Sequence, residues 1–422
     1  MTKDRGESQT EADDEAVLTP YQKKLFVFLS VATFFEGYDF FALTQLLPNL
    51  RDAMGLSQAE GGYMISFITS GTVLAFFLVR AADKWGRKKL LTVTIAGYTV
   101  FTFLSGLAPE AKSFAVFQLI ARMFLVAEWA TSMILAAEEF PAQKRGMVMG
   151  VIQACSSLGA IVCAGVVPLL LKTAYGWRTV YFVGIIPLVI LAFARRSLRE
   201  SERFASQVVA EEEKQSKPLF RIWGTPYKKR VLQMALIWGL TYTCTNNAVT
   251  FWKDFVVSDR GMTDDQVGLA ITIAAVGSMP LVFYAGKLLD QLGRRWGALV
   301  IYGATMLGVA GCYGLEGRWP LTAALVFAIF GASAVLPVLN AYTSELFPTD
   351  LRGDAFAWTN SLLGRIGYVA SPALVGVMAE GLGWGYGPAV QVTAIGPLLA
   401  LALIFLWLPE TKNKELEETA AI

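Results

Sequence analysis

The sequence predicts an all-α membrane protein of twelve transmembrane helices, arranged as two six-helix bundles related by a pseudo-two-fold axis along the membrane normal. Three observations predict it. Apolar runs of about 20 residues, each long enough to cross a bilayer, recur along the whole chain. A single long polar stretch divides them into two groups of six. Three short motifs of the first group reappear in the second at one constant spacing.

Of the 422 residues, 55% are hydrophobic and 17% charged, below the quarter usual for soluble domains. Distribution decides more than the total: only helices or closed barrels satisfy their backbone in lipid, and apolar runs this long are helices. The runs fall near 25–48, 61–82, 89–108, 113–136, 146–171 and 179–194, then 231–253, 267–288, 297–315, 321–343, 354–379 and 388–408. Residues 1–24 are polar and acidic, lack the apolar stretch of a signal peptide, and read as a disordered tail. The bundles then occupy 25–195 and 231–408, with a linker at 196–230 and a tail at 409–422.

Basic residues orient the chain. Lys84, Arg87, Lys88 and Lys89, Lys144 and Arg145, the Arg195–Arg230 stretch, Arg294 and Arg295, Arg352, and Lys412 all fall on one side. The positive-inside rule places that side, with both termini, in the cytoplasm.

A net charge of +2 gives no reason to expect nucleic acid. The four cysteines lie inside apolar runs without a CxxC pair and read as core residues. No cofactor, metal cluster or nucleotide-binding GxxxxGK[ST] loop is indicated, which argues against an enzyme or an ATP-driven pump. Histidine is absent, so any proton relay has to use carboxylates.

The repeat has an offset of 207 residues. Asp83-Lys84-Trp85-Gly86-Arg87-Lys88 returns as Asp290-Gln291-Leu292-Gly293-Arg294-Arg295, and Gly176-Trp177 returns as Gly383-Trp384. Glu138-Glu139-Phe140-Pro141 with Arg145 returns as Glu345-Leu346-Phe347-Pro348 with Arg352. Six runs separate the copies, so the halves are parallel repeats, which place a substrate near the midplane between them.

These motifs resemble the DxxGR[KR] loop and the ExFPxxxRG stretch of the major facilitator superfamily. Trp177-Arg178 and Pro409-Glu410-Thr411-Lys412 resemble its sugar-porter and metabolite–proton-symporter branches, and the likeness runs from Leu25 onward. Val79 and Arg80 depart from the pattern, standing where the loop usually has a glycine and a small residue; the second copy keeps Gly286. The resemblance implies a gate on the terminus-bearing side, made by Asp83, Gly86, Arg87, Glu138 and Arg145 with Asp290, Gly293, Arg294, Glu345 and Arg352. Carboxylates at helix ends there can take charge-assisted hydrogen bonds that latch one state.

Ionisable residues inside apolar runs are costly and point to function. Glu36 and Asp39 lie three apart, on one helical face. The string Phe35-Glu36-Gly37-Tyr38-Asp39 resembles the acidic DGxD motif of aromatic-acid–proton symporters, implying a proton site. Arg122 corresponds to the arginine of the family's fourth-span RxxxGxG stretch, with Val126 and Glu128 standing where its glycines would be, and can pair with either carboxylate; Glu128 is a third acidic candidate. Arg365 sits mid-span with no acid between it and Glu380, so it takes either a substrate carboxylate or a carboxylate from elsewhere. Tyr38, Tyr242, Asn246, Asn247, Asn340 and Tyr342 lie on runs that surround the cavity in this superfamily, and are candidate substrate contacts. Lys253 and Asp254 read as boundary charges.

The expectation is a monomeric, proton-coupled symporter of a small organic acid, in a plasma membrane or bacterial inner membrane, working by alternating access. A neutral sugar or other metabolite, drug–proton exchange, and a non-transporting sensor are the alternatives.

Overall fold

The computed structural model describes residues 18–80, 85–186, 219–348, 350–412 and 419. Asp83, most of the linker, the second half of the sixth apolar run, and the side chains of Arg87 and Arg145 lie outside the described residues.

Every regular element among the described residues is helical. Thr19 opens α1 (Pro20–Met54) with a capping box: its hydroxyl accepts from the Gln22 amide while the Gln22 side chain accepts from Thr19 N–H, and proline occupies the first turn. Next come α2 (Gln58–Arg80), α3 (Arg87–Leu107), α4 (Ala111–Glu139), α5 (Ala142–Leu171) and α6 (Trp177–Val183). After a 3₁₀ turn at Leu219–Gly224, the seventh apolar run forms three pieces, α7 (Lys228–Thr245), α8 (Asn247–Thr250) and α9 (Trp252–Ser258). The break falls at Asn246, beside Asn247, whose side-chain amide donates to the Thr243 carbonyl at 2.6 Å, inside the helical ladder.

A capping box of the same kind, Thr263 with Gln266, opens α10 (Asp264–Leu292). It is followed by α11 (Arg294–Gly314), α12 (Arg318–Glu345) and α13 (Arg352–Phe356). A π-helical segment at Ala357–Gly364 leads without interruption into α14 (Arg365–Gly381), and α15 (Tyr386–Thr393) and α16 (Ile395–Trp407) close the chain. Ten helical stretches among the described residues are long and apolar enough to cross a membrane. The sixth run is described only in part and the seventh is broken, so neither adds to that number.

The same packing pairs occur in both groups. α1 packs on α5 as α7 packs on α14, α2 on α4 as α10 on α12, and α3 on α4 as α11 on α12. The groups meet where α2 packs on α14 and α5 on α10. The apolar core follows this division. At the end that carries the chain termini, each group has its own cluster, around Leu29 and Leu135 in one and Trp238 and Phe347 in the other. At the opposite end a single cluster runs through both, joining Leu46 and Phe114 to Phe255 and Tyr386.

Polar contacts between the groups gather at that same opposite end. Arg51 pairs with Asp254 at 2.6 Å and lies 5.5 Å from the Tyr386 ring centroid. The Tyr386 hydroxyl donates to the Gln58 carbonyl, Ala59 N–H donates to Glu380, and Lys172 pairs with Asp265. Lys253 and Asp254 are therefore not boundary charges: both are about 1% exposed, and Lys253 donates to Asp264 at 2.6 Å and to Asn49 at 3.4 Å. Burial of such groups is tolerated because each is paired.

Candidate substrate cavity

Between the groups lies a cavity of about 410 Å³. Its walls come from α1, α4 and α5 on one side and from α7, α8, α12 and α14 on the other. The exposed lining surface is mainly apolar, with Phe40, Phe41, Trp129, Tyr242 and Tyr368, and is interrupted by Glu36, Gln153, Asn246, Arg365 and several serine and threonine hydroxyls.

The structure brings Glu36, Tyr242, Asn246 and Arg365 together on these walls. Glu36 is buried and accepts a 2.7 Å hydrogen bond from the Ser156 hydroxyl. The half-buried Arg365 guanidinium lies 5.5 Å from the Tyr242 ring centroid and 5.3 Å from that of Tyr368. These rings hold the cation through their π faces without neutralising it. Among the described residues no carboxylate lies within ion-pair distance of Arg365. Glu345, one partner considered for it, pairs with Arg294 instead. The Tyr242 hydroxyl donates to Asn360 Oδ1 at 2.9 Å, which fixes the ring against which Arg365 rests. Asn246 keeps a buried side-chain N–H without a hydrogen-bond partner at the cavity wall.

Asp39 and Arg122 line a separate pocket of about 10 Å³, with Thr102, Gln118 and Tyr181. Asp39 accepts from Thr102 at 3.2 Å, while its other oxygen and Arg122 Nη1 are buried without partners among the described residues. The expected ion pair of Arg122 with Glu36 or Asp39 is not formed within 4 Å; Arg122 instead sits 4.3 Å from the Phe40 ring centroid. Phe40 lines the main cavity, so Arg122 lies behind one of its wall residues. Glu128 is fully buried and accepts from Ser132 at 2.7 Å, one turn on in its own helix, and lines neither space.

Four expected substrate contacts do not line the cavity. Tyr38 packs within the first group and donates to the Val180 carbonyl; Asn247 is spent on Thr243; Tyr342 is buried in the second group's core. Asn340 is exposed, one turn beyond the cavity residues Ile329, Ser333 and Leu336 on the same face of α12, toward the terminus-bearing end. Sequence reading passed over Gln153, Ser156, Tyr368 and Asn360. Gln153, Ser156 and Ser157 form a polar stripe at helical spacing in the otherwise apolar α5, and that signal could have found them. Gln153 accepts from the Trp129 indole at 3.0 Å, which orients both on the wall.

The expected gate is described on its second copy. Arg294 bridges Asp290 at 3.1 Å and Glu345 at 2.8 Å, and Thr411 donates to Glu345. Glu410 receives the backbone N–H groups of Arg294 and Arg295 at the start of α11, and those of Thr411 and Lys412. Burial raises the Glu410 pKa, but these four amides outweigh it and hold the carboxyl below its ordinary value. Arg352 makes no ion pair among the described residues and leaves Nε buried without a partner. Gly86 and Gly293 share a φ near +90°, so the two loops turn alike. Glu138 lies in the last turn of α4, whereas Asp83 and the side chains of Arg87 and Arg145 are not described.

Comparison with known proteins agrees with this architecture. The Major Facilitator Superfamily profile matches residues 29–257 and again 239–421. A probable 4-methylmuconolactone transporter of Cupriavidus pinatubonensis is 26% identical over 410 residues, covering 94% of this chain and 93% of its own length. A cis,cis-muconate transport protein of Acinetobacter baylyi is 28% identical, covering 88% and 91%. The crystal structure of a D-xylose–proton symporter superposes with a TM-score of 0.73 at 19% identity, over 93% of this chain and 99% of that one. With two profile matches spanning nearly its whole length, this chain belongs to the major facilitator superfamily and is a multi-pass membrane transporter, not an enzyme.

Proposed function

We propose that this transporter carries a small organic acid together with a proton, by alternating access between two six-helix bundles, and works as a monomer without a cofactor. The observation that carries the proposal is Arg365, which faces the cavity between two aromatic rings with no carboxylate partner among the described residues. A guanidinium in that position matches a carboxylate with two parallel hydrogen bonds. Glu36, on another wall of the same cavity, is placed to take the coupled proton, with Asp39 and Arg122 behind it and Glu128 further off. The relative named for cis,cis-muconate, itself a dicarboxylate, supports an acid as substrate.

In this reading twelve helices span the membrane, bundles at 25–195 and 231–408 share a pseudo-two-fold axis, and 196–230 links them. Both termini lie in the cytoplasm of a bacterial cell, beneath the inner membrane. The end sealed by Arg51 and Asp254 is then the outer one, and the structure corresponds to an inward-facing state. The Asp290–Arg294–Glu345 cluster, with its first-copy counterpart, forms the cytoplasmic gate.

Uptake of a carboxylate panel into proteoliposomes, with and without an inward proton gradient, tests the proposal. Gradient-dependent accumulation of an acid is expected. Acid uptake indifferent to the gradient would remove symport, and transport of a neutral sugar but no acid would replace the substrate assignment.

A further inference from the structure

The two repeats fall out of step at the cavity. By the constant offset of 207, Arg365 and Tyr368 correspond to Leu158 and Ile161 of α5. Neither of those lines the cavity, and Leu158 is 49% exposed on the molecule's flank. Two of the α5 residues that do line it, Ser157 and Ala160, have Gly364 and Gly367 as counterparts. Those glycines face α7 instead, and a Cβ at 367 would stand 2.1 Å from the Gly239 carbonyl.

Raising the offset by one residue brings 157–160 into register with 365–368. Ser157 then corresponds to Arg365 and Ala160 to Tyr368, all on the cavity wall. Gly159, where a Cβ would stand 1.9 Å from the Phe34 carbonyl, corresponds to Gly367 at its own tight helix contact. Leu158 corresponds to Ile366, which is 60% exposed.

One extra residue is what a π-helical turn accommodates, and the π-helical segment Ala357–Gly364 lies directly before Arg365, where α5 is regular. A one-residue phase change turns a helical side chain by about 100°. The segment closes at Gly364, where any Cβ would stand 2.3 Å from the Thr359 carbonyl five residues earlier. Asn360, at its centre, is held by the Tyr242 hydroxyl.

We propose that this π-helical segment, pinned by Asn360, is the positioning device that turns Arg365 and Tyr368 from the lipid-facing flank into the cavity. Its use in acid recognition rests on the function proposed above, whereas the register does not. Two measurements separate them. With Cys155, Cys163, Cys244 and Cys312 replaced by alanine, single cysteines from Arg365→Cys, Ile366→Cys and Tyr368→Cys are treated with a charged thiosulfonate reagent. Reaction at 365 and 368 with protection at 366 is expected; protection at 365 overturns the proposal, whatever the protein carries.

Uptake of cis,cis-muconate and benzoate then reads the function. Asn360→Leu is expected to raise KM about tenfold with Vmax little changed, as loss of a buried hydrogen bond that fixes a binding group would. Deleting Leu362 from that variant removes the extra residue, leaves a regular helix with Arg365 in its slot, and is expected to recover KM. An unchanged KM in Asn360→Leu, or no recovery on deletion, counts against the positioning role. Failure of the unaltered protein to take up either acid counts against the proposed substrate class only, since the labelling pattern still decides the register.

Discussion

Arg365 reaches the cavity as a planar cation between the rings of Tyr242 and Tyr368, 5.5 and 5.3 Å away. Lysine keeps the charge but loses both the fork and the stacking surface. Arg365→Lys is therefore expected to raise KM for a transported carboxylate at least about tenfold with smaller changes in Vmax, equivalent to losing uniform binding. Unchanged affinity would show that the arginine does not meet the substrate. Glu36 offers the complementary test. Its carboxylate is held by Ser156 on the cavity wall, so Glu36→Gln keeps the hydrogen-bonding shape and removes the titratable proton. Gradient-driven accumulation should disappear while substrate exchange across the membrane persists; loss of both would make Glu36 a structural group.

The start of α11 shows how one element is secured. Gly293 has a φ of +90°, and any Cβ there would stand 2.8 Å from the Glu410 carboxylate that caps the helix. Gly293→Ala meets both penalties and is expected to lose about 1–3 kcal/mol, read as a lowered Tm in detergent. Glu410→Gln keeps the shape but replaces a charge-assisted cap by a neutral one, for a loss of about 1 kcal/mol at neutral pH. The Glu410 pKa is depressed in the folded protein, so its contribution is present above the unfolded value and vanishes as pH falls through the folded one. The Tm difference between the two proteins should thus close below about pH 4. A difference that persists in acid would mean the carboxylate charge is not the cause.

At the scale of the molecule, the shared core and the Arg51–Asp254 pair hold one end shut while the other end is divided between two cores. Asp254 is 1% exposed on its side chain, and removing Arg51 leaves that charge buried and unpaired, a penalty of about 3–5 kcal/mol that opening to water relieves. Arg51→Ala should therefore shift the population toward the state open at that end, seen as faster labelling of a cysteine placed at Val249 by a reagent added on the Arg51–Asp254 side. Labelling as slow as in the parent protein would show that the apolar contacts alone keep it closed.

The apolar runs determined the helical membrane fold, because backbone groups in lipid leave no other solution for segments of that length and composition. The repeated loop motifs determined the family and the two parallel groups, and intramembrane charge marked Glu36 and Arg365, since an ionisable residue at that depth has to earn its place. Tertiary structure alone decided which polar residues meet. Tyr38, Asn247 and Tyr342 are as polar as Tyr242 and Asn246, yet Tyr38 donates to Val180 of α6, Asn247 to Thr243 one turn back in its own span, and Tyr342 is buried in the second group's core, and nothing in composition distinguishes the two sets. Lys253 and Asp254 looked like boundary charges because their partners, Asp264 and Arg51, come from other helices. Arg365 is the sharpest instance. The sequence offset pairs it with a flank residue, and only the π-helical turn ahead of it, a feature of backbone hydrogen bonding that leaves the residue count of the repeat unchanged, carries it into the cavity.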